Sequence, residues 1–463
     1  MLKKLMRIGN KFSPGLQKII RNVGWLAFEK LITIVLNLSI GIYVIRYLGA
    51  DHFGKLSYCL SLVGMFGAIA KLGLDSIVVR TLVKEEESAP EILGTAFVLK
   101  LISSLITLIL IACVVFTSNQ DPQIQWIAIV IALGLVFRST EVVDFWFQSK
   151  VLSRSIVVVR SVKLIISSAA KLVFIFLRLP LGAFAWLLLV DEIIQAVGLC
   201  WIYLKHIQLN RIKRTNLITF KSFGWKLDAA RAMKMLQDSW PLILSGVMVT
   251  IYMKIDQVML GNMASNEAVG NYAAAVRFSE IWYFFPTAIC ASVFPAIIRA
   301  KQKSKQEYYG RLQQLYDLMA WMSLAIAFAM TFASDNLINV LLGAEYTEAG
   351  KILAWHIWAS PFVFLGVARS QWLIAENLTK LSFFTTSLGT IVNVLLNLWL
   401  IPIYDGTGAA IATVVSYAVA SYFTCMFHPK MFHTAWMLTR ALFIPFRIRQ
   451  NYIYLSHVKN IFS

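Results

Sequence analysis

The chain has 463 residues, 58% of them hydrophobic and 14% charged, with a net charge of +19 and a mean hydropathy of +0.68. That composition excludes a soluble protein of this length and specifies an integral membrane protein. The five cysteines are odd in number and scattered, without CxxC or Cys/His ligand spacing, and the six histidines are dispersed, so neither a disulfide framework nor a bound metal is expected.

Windows of about 20 apolar residues predict helices at 23–45, 55–76, 91–116, 124–147, 156–178, 182–204, 239–261, 270–298, 312–333, 350–374, 381–401 and 408–428. The basic N-terminal segment (Lys3, Lys4, Arg7, Lys11, Lys18, Arg21) precedes an apolar run too long for a signal-peptide core and lacking a small-residue cleavage site. It is expected to be retained. Span one carries Glu29 and Lys30, with Asn37 and Gly41 nearly on the Lys30 face. Lys71 and Asp75, at the end of span two, are expected to pair at the interface. Lys100 lies inside span three with no partner on its own helix, a candidate for a cavity wall. In span four, Arg138 and Glu141 at i, i+3 can pair on one helix, with Asp144 a turn further.

Span five carries Arg160, Lys163, Lys171 and Arg178. At 100° per residue Arg160, Lys171 and Arg178 agree in azimuth to within about 20°, and Lys163 lies about 60° away, giving a cationic stripe about 27 Å long. An unpaired cation at the bilayer centre costs at least about 2.5 to 3.5 kcal/mol, so such residues normally face a water-filled cavity. Snorkelling from the helix ends is the alternative for Arg160 and Arg178; Lys171 is too deep for it, and Ser167 shares the face. Spans seven and eight place Lys254, Asp256, Arg277 and Glu280 at one depth. Either these four neutralise one another, or Arg277 contacts an anionic substrate while Asp256 or Glu280 binds a coupling H⁺ or Na⁺. Arg369, beyond Pro361 in span ten, is a further cavity candidate. In span eleven Thr386, Thr390, Asn393 and Asn397 form one polar stripe, suited to sugar hydroxyls or to interhelical packing.

With a cytoplasmic N-terminus, nearly all loop Lys and Arg residues fall on inside segments, which places both termini in the cytoplasm. The basic runs 205–234 and 299–311 are topology determinants that also suit anionic lipid headgroups. Neither carries a nucleic-acid-binding motif.

The chain also repeats. Leu48-Gly49 and Gly54-Lys55-Leu56-Ser57-Tyr58 after span one are echoed by Leu260-Gly261 and Gly270-Asn271-Tyr272 after span seven. Ile77-Val78-Val79-Arg80 matches Ala296-Ile297-Ile298-Arg299, and Leu179-Pro180 with Gly182-Ala183 matches Ile401-Pro402 with Gly408-Ala409. The copies lie six spans apart, an even number, so the halves share one orientation. The expected organisation is a six-helix lobe over 1–204, a basic cytoplasmic linker over 205–238, a second six-helix lobe over 239–428 and a cytoplasmic tail over 429–463. Two like-oriented bundles suit alternating access with the substrate held between them. A passive scaffold would not need buried cations.

These segments, with Leu342-Gly343-Ala344-Glu345-Tyr346 before span ten and the run from Asn397 to Ala412, resemble the Wzx-type polysaccharide and O-antigen flippases of the multidrug/oligosaccharidyl-lipid/polysaccharide exporter superfamily. The resemblance covers nearly the whole chain. It implies an all-α polytopic membrane fold of about twelve transmembrane helices in two lobes, with no catalytic motif and no cofactor beyond a coupling H⁺ or Na⁺. It further implies transport of an undecaprenyl-pyrophosphate-linked oligosaccharide across the bacterial inner membrane, alongside polysaccharide assembly proteins. Arg160, Lys163, Lys171, Arg178, Lys100, Arg277 and Arg369 are then candidates for the diphosphate, which Arg and Lys bind by charge-assisted hydrogen bonds. Asn393 and Asn397 are candidates for the sugar, and Asp256 and Glu280, followed by Glu29, Glu141 and Asp144, for ion coupling. A multidrug exporter would usually present an acidic cavity, and a lipid II flippase usually has an extra C-terminal pair of spans. A polymerase or glycosyltransferase would need a catalytic loop or domain, whereas the longest outside loop, 334–349, has no Arg, Lys or His.

Overall fold

The computed structural model describes residues 14–118, 121–210, 224–448 and 450–452, and every regular element among them is helical. Nine helical stretches among the described residues are long and apolar enough to cross a membrane. The first and last of these each contain two of the expected spans. Helix α1 (Pro14–Lys71) is broken at Gly49, with φ 72° and ψ 171°, and α14 (Thr379–Ala418) at Asp405, with φ 46° and ψ −129°. The span-five helix, Ser153–Phe176, is too charged to stand among the nine, because it carries Arg154, Arg160, Lys163 and Lys171. With that helix counted, the twelve expected crossings are present.

Contacts divide the chain into two compact units, Met1–Tyr47 with Cys59–Thr250, and Leu48–Tyr58 with Ile251–Ser463. Unit one contains most of α1, then α2 (Leu74–Lys84), α3 (Ala89–Thr117), α4 (Pro122–Phe137), α5 (Val142–Ser149), α6 (Ser153–Phe176), α7 (Leu181–Asn210) and the first part of α8 (Ala229–Met263). Asp121 caps α4 by accepting from the Gln123 amide, and Pro122 occupies the first turn where no amide is needed. Leu74, Val78, Ile92, Leu93, Val142 and Val143 form its core. The last part of the expected linker is docked on this unit: the Lys226 amide donates to the Pro90 carbonyl at 3.1 Å, and Arg231 pairs with Glu85 at 2.6 Å. Residues 211–223 of that linker lie outside the described residues.

Unit two holds the rest of α8, α9 (Asn266–Glu280), α10 (Phe284–Lys303), α11 (Lys305–Leu341), α12 (Thr347–His356), α13 (Ser360–Ala375), α14 and α15 (Phe432–Leu442). Ser265 and Ser304 cap α9 and α11, the latter followed by Glu307 in a capping-box spacing. The described part of the segment expected to be a tail is built into this unit. Its helix α15 is too short to span, but it buries Met431, Ala435, Leu438 and Ala441 against Tyr308, Leu312 and Tyr316. Beyond it Arg447 bonds the fully buried Asp317 carboxylate at 3.0 and 3.2 Å.

Candidate functional site

In unit one, α6 turns its polar face toward α5 and α7. Arg160 donates to Asp144 at 2.5 Å, Lys163 to the Gln195 carbonyl oxygen at 2.5 Å, and Ser167 to Asp191 at 2.7 Å. Arg160, Lys163, Ser167 and Lys171 line a cavity of about 430 Å³, bounded also by Glu29, Thr33 and Asn37 of α1, by Arg138 and Glu141, and by Asp191, Glu192 and Gln195 of α7. A second cavity of about 440 Å³ shares Arg138, Lys163, Asp191 and Glu192 and reaches Lys71 and Asp75. The cations of the wall, Arg138, Arg160, Lys163 and Lys171, are matched by Glu29, Glu141, Asp191 and Glu192. The cationic stripe is therefore a wall of both signs, in which carboxylates offset the cost of taking the cations out of water.

Several expected placements change. Arg178 is not on the stripe: α6 ends at Phe176, and Arg178 follows with φ 54° in a left-handed turn that lets the Leu179 amide reach the Phe174 carbonyl at 3.0 Å. Lys100 is not on an open wall. It is 2% exposed, 3.0 Å from Glu141 and 3.8 Å from Asp75, with its ammonium 4.9 Å from the Phe145 ring centre. Arg138 and Glu141 do not bond each other, because each is taken by a partner on another helix, Glu141 by Lys100 at 3.0 Å. Arg138 instead meets Glu192 at 2.8 Å. Glu192 lies over Gly134, where a Cβ would come within 3.2 Å of its side chain. Lys71 and Asp75 are separated by the left-handed Leu72-Gly73 turn, and Asp75 faces Lys100.

In unit two Lys254, Asp256, Arg277 and Glu280 do not close into direct ion pairs with one another. Asp256 is 5% exposed and accepts from Tyr272 and Thr413 hydroxyls and from the Asn397 amide, each at 2.6 Å. Asn397 also donates to Asn393 at 3.2 Å, and Asn393 to Ser416 at 3.4 Å. The polar stripe of α14 thus meets Asp256 of α8 in one buried network, and the Asn397 carbonyl oxygen within it accepts no hydrogen bond from the described residues. Lys254, Arg277 and Glu280 make no ion pair or side-chain hydrogen bond among the described residues. Arg369 is a core residue rather than a cavity wall. It is 4% exposed and donates to the Ala420 carbonyl at 2.8 Å and to Thr385 at 3.2 Å. Ala420 lies in a π-helical turn, Val419–Phe423, whose altered hydrogen-bond pattern leaves a carbonyl for the guanidinium.

Asp191, Glu192 and Gln195 were not among the residues singled out from the sequence. Their signal is nevertheless present: two consecutive acids in the middle of a span are as expensive as the cations they face. Tyr272 and Thr413 carry no comparable signal, since a hydroxyl in a membrane helix usually bonds its own backbone. Among the described residues no cluster of three His, Cys, Asp or Glu side chains could hold a metal ion.

Twelve crossing helices among the described residues, in two units and with buried charges of both signs lining cavities, define a multi-pass membrane protein. Residues 19–301 match the family described as polysaccharide biosynthesis protein, and residues 241–399 the MatE family. The chain belongs to the polysaccharide biosynthesis protein family. It is 24% identical over 377 residues, 81% of this chain and 76% of the other, to a Haloferax volcanii protein described as "Probable low-salt glycan biosynthesis flippase Agl15". Its fold is similar to that of a solved structure described as an inward-facing conformation of a multidrug resistance MATE family transporter of the MOP superfamily, with a TM-score of 0.68, 15% identity, and 92% and 99% of the two chains covered. The lipid II flippase MurJ, inward closed, shares it at a TM-score of 0.63 and 15% identity, with 92% of both chains covered.

Proposed function

We propose that the protein flips a lipid-linked oligosaccharide, specifically an undecaprenyl-pyrophosphate-linked repeat unit of a bacterial inner membrane, by alternating access and with both termini cytoplasmic. The observation that carries this reading is the unit-one wall, where Lys163 is held by the neutral Gln195 amide and stands with Lys171 among hydroxyl, amide and carboxylate groups. A sugar diphosphate needs cations for its phosphates and both donors and acceptors for its hydroxyls. An apolar drug needs neither in such number. Arg277, without an acidic partner among the described residues, is a second candidate for the diphosphate.

Coupling falls to Asp256. Its shell of Tyr272, Asn397 and Thr413 supplies oxygen atoms that can turn toward a bound H⁺ or Na⁺ once their hydrogen bonds to the carboxylate are exchanged. Glu280 is the alternative in the same unit.

The test is flipping of a fluorescent polyprenyl-diphosphate oligosaccharide in proteoliposomes, read by a headgroup-specific probe outside the vesicle. The unchanged protein should flip it, and Lys163→Met and Lys171→Met should flip it at least about tenfold more slowly. Normal flipping by Lys171→Met at normal protein level would remove the wall from the mechanism, and no flipping by the unchanged chain would remove the substrate assignment.

A further inference from the structure

Helix α15 is apolar on both faces. Its inner face packs on unit two through Met431, Ala435, Leu438 and Ala441, and Gln313 of α11 donates to the Met437 carbonyl at 3.1 Å. Its outer face is bare: Phe432, Trp436 and Phe443 are 62, 61 and 58% exposed, and the flanking Phe427, Phe446 and Ile448 are 85, 79 and 79% exposed. At 100° per residue Phe432, Trp436 and Phe443 fall within about 40° of one another. They form one ridge, with the exposed Arg440 at its edge. A contiguous apolar surface of this kind in water marks an interaction site. The ridge cannot be buried by crossing the bilayer, because the 11 residues of α15 rise only about 16 Å against a hydrocarbon core of about 30 Å. The helix also begins where a crossing ends, since the last membrane-length stretch stops at Met426. Its His433 ring centre lies 4.6 Å from that of Tyr309, which sets α15 at the end of unit two where α10 turns into α11 and Arg299, Lys303 and Lys305 are exposed. Between Phe427 and Ser463 the sequence has Lys430, Arg440, Arg447, Arg449 and Lys459, and no Asp or Glu.

We propose that the outer face of α15 is a docking surface for anionic phospholipid, with Phe432, Trp436 and Phe443 seated at the boundary of headgroups and acyl chains and Lys430 and Arg440 on the headgroup phosphates. Aromatic rings settle at that depth, and a helix with an apolar ridge and basic flanks lies in the plane of the interface. Lys430 and Arg440 are exposed and form no ion pair among the described residues, so both are free to meet phosphate. Arg447 is not part of the lipid contact. Its bonds to Asp317 at 3.0 and 3.2 Å fasten the surface to the core of unit two. A second copy of the chain is the competing occupant, but ridge against ridge would bring the cations of two segments together with no acid in either to offset them. Like charges juxtaposed in this way disfavour pairing, whereas an anionic leaflet is favoured by about 1 kcal/mol per cation. The surface is independent of what the protein transports.

The full-length protein is placed in liposomes containing phosphatidylglycerol or phosphatidylcholine with a photoreactive diazirine in one acyl chain, illuminated, and the adducts are mapped by mass spectrometry. The exposed Phe328 and Phe332 of the spanning helix α11 are the reference. Residues 432–443 should take adducts, with a yield from phosphatidylglycerol at least about fivefold that from phosphatidylcholine, the preference that one cation near an anionic surface gives. The reference should label equally with both. Lys430→Ser combined with Arg440→Ser should bring the ratio at 432–443 close to one and leave the melting temperature unchanged. No adducts at 432–443 while Phe328 labels would place the ridge in water or against a second copy and overturn the docking. Equal yields from the two lipids in the unchanged protein, or an undiminished ratio in the double variant, would overturn the role of Lys430 and Arg440 and with it the choice of anionic lipid.

Discussion

Asn397 donates to Asp256 at 2.6 Å while its own carbonyl oxygen receives no hydrogen bond from the described residues. The amide is thus held as a donor against a buried carboxylate, with an unused acceptor beside it. Turning that amide over would exchange a donor for an acceptor at the carboxylate, the change that a bound cation requires. A ligand shifts a conformational equilibrium only by its differential affinity for the two states, and a shell that can present either donors or acceptors supplies such a difference.

Asp256→Asn is therefore expected to flip substrate without responding to an imposed proton or sodium gradient. The loss in gradient-driven rate should be about 5- to 150-fold, the range of typical coupling free energies. Vesicle assays with and without the gradient measure it. Retained gradient dependence in both Asp256→Asn and Glu280→Gln would assign these carboxylates to structure and move the search to Glu29, Glu141 and Asp144.

Lys171→Met should lower flipping by roughly tenfold or more, the worth of a charge-assisted hydrogen bond of about 1.5 to 3 kcal/mol. Lys171→Arg should keep part of the activity because it keeps the charge. Gln195→Glu offers a complementary check: placing a carboxylate on Lys163 should weaken binding of an anionic headgroup. Unaltered concentration dependence in Gln195→Glu would count against a diphosphate at this wall.

Lys100→Met should destabilise unit one by about 1 to 3 kcal/mol, because it leaves the half-buried Glu141 without its nearest cation. Lys100→Met combined with Glu141→Gln should recover most of that loss. Thermal unfolding in one detergent compares the variants. Equal melting of Lys100→Met and the unchanged protein would show that the pair is not load-sharing in the fold.

Arg447→Ala removes the cation from the buried carboxylate of Asp317 and should cost about 3 to 5 kcal/mol for the same reason. Asp317→Asn in the same chain should relieve it, since Gln313 can still bond a neutral amide. A chain ending at residue 428 should melt earlier than the full protein. If it melts with the full protein, α15 contributes nothing to unit two.

Cysteines placed singly in 205–234 should react only after the membrane is made permeable, whereas those in 263–269 and 334–349 should react from outside intact cells. External labelling of 205–234 would reverse the proposed orientation.

Much of the architecture is legible in the chain. Apolar runs of bilayer length mark the helices, and the Leu48-Gly49 and Leu260-Gly261 echoes mark the repeat. These signals are local, because a lipid environment obliges each segment to satisfy its own backbone. The span-five cations are legible too, since an intramembrane charge stands out against its neighbours. Their partners are not. Arg138 could pair with Glu141 on its own helix, and only the packing of α7, which lays Glu192 over Gly134, hands it to Glu192. Asp256 could have met Lys254 or Arg277, and the fold instead surrounds it with Tyr272, Asn397 and Thr413. Composition and periodicity determined a helical membrane protein with charges that must be compensated. Which group compensates each charge was decided by the tertiary structure, because partners as far apart as 141 and 157 residues, Asn397 and Thr413 with Asp256, are brought together by helix packing and leave no trace in local spacing.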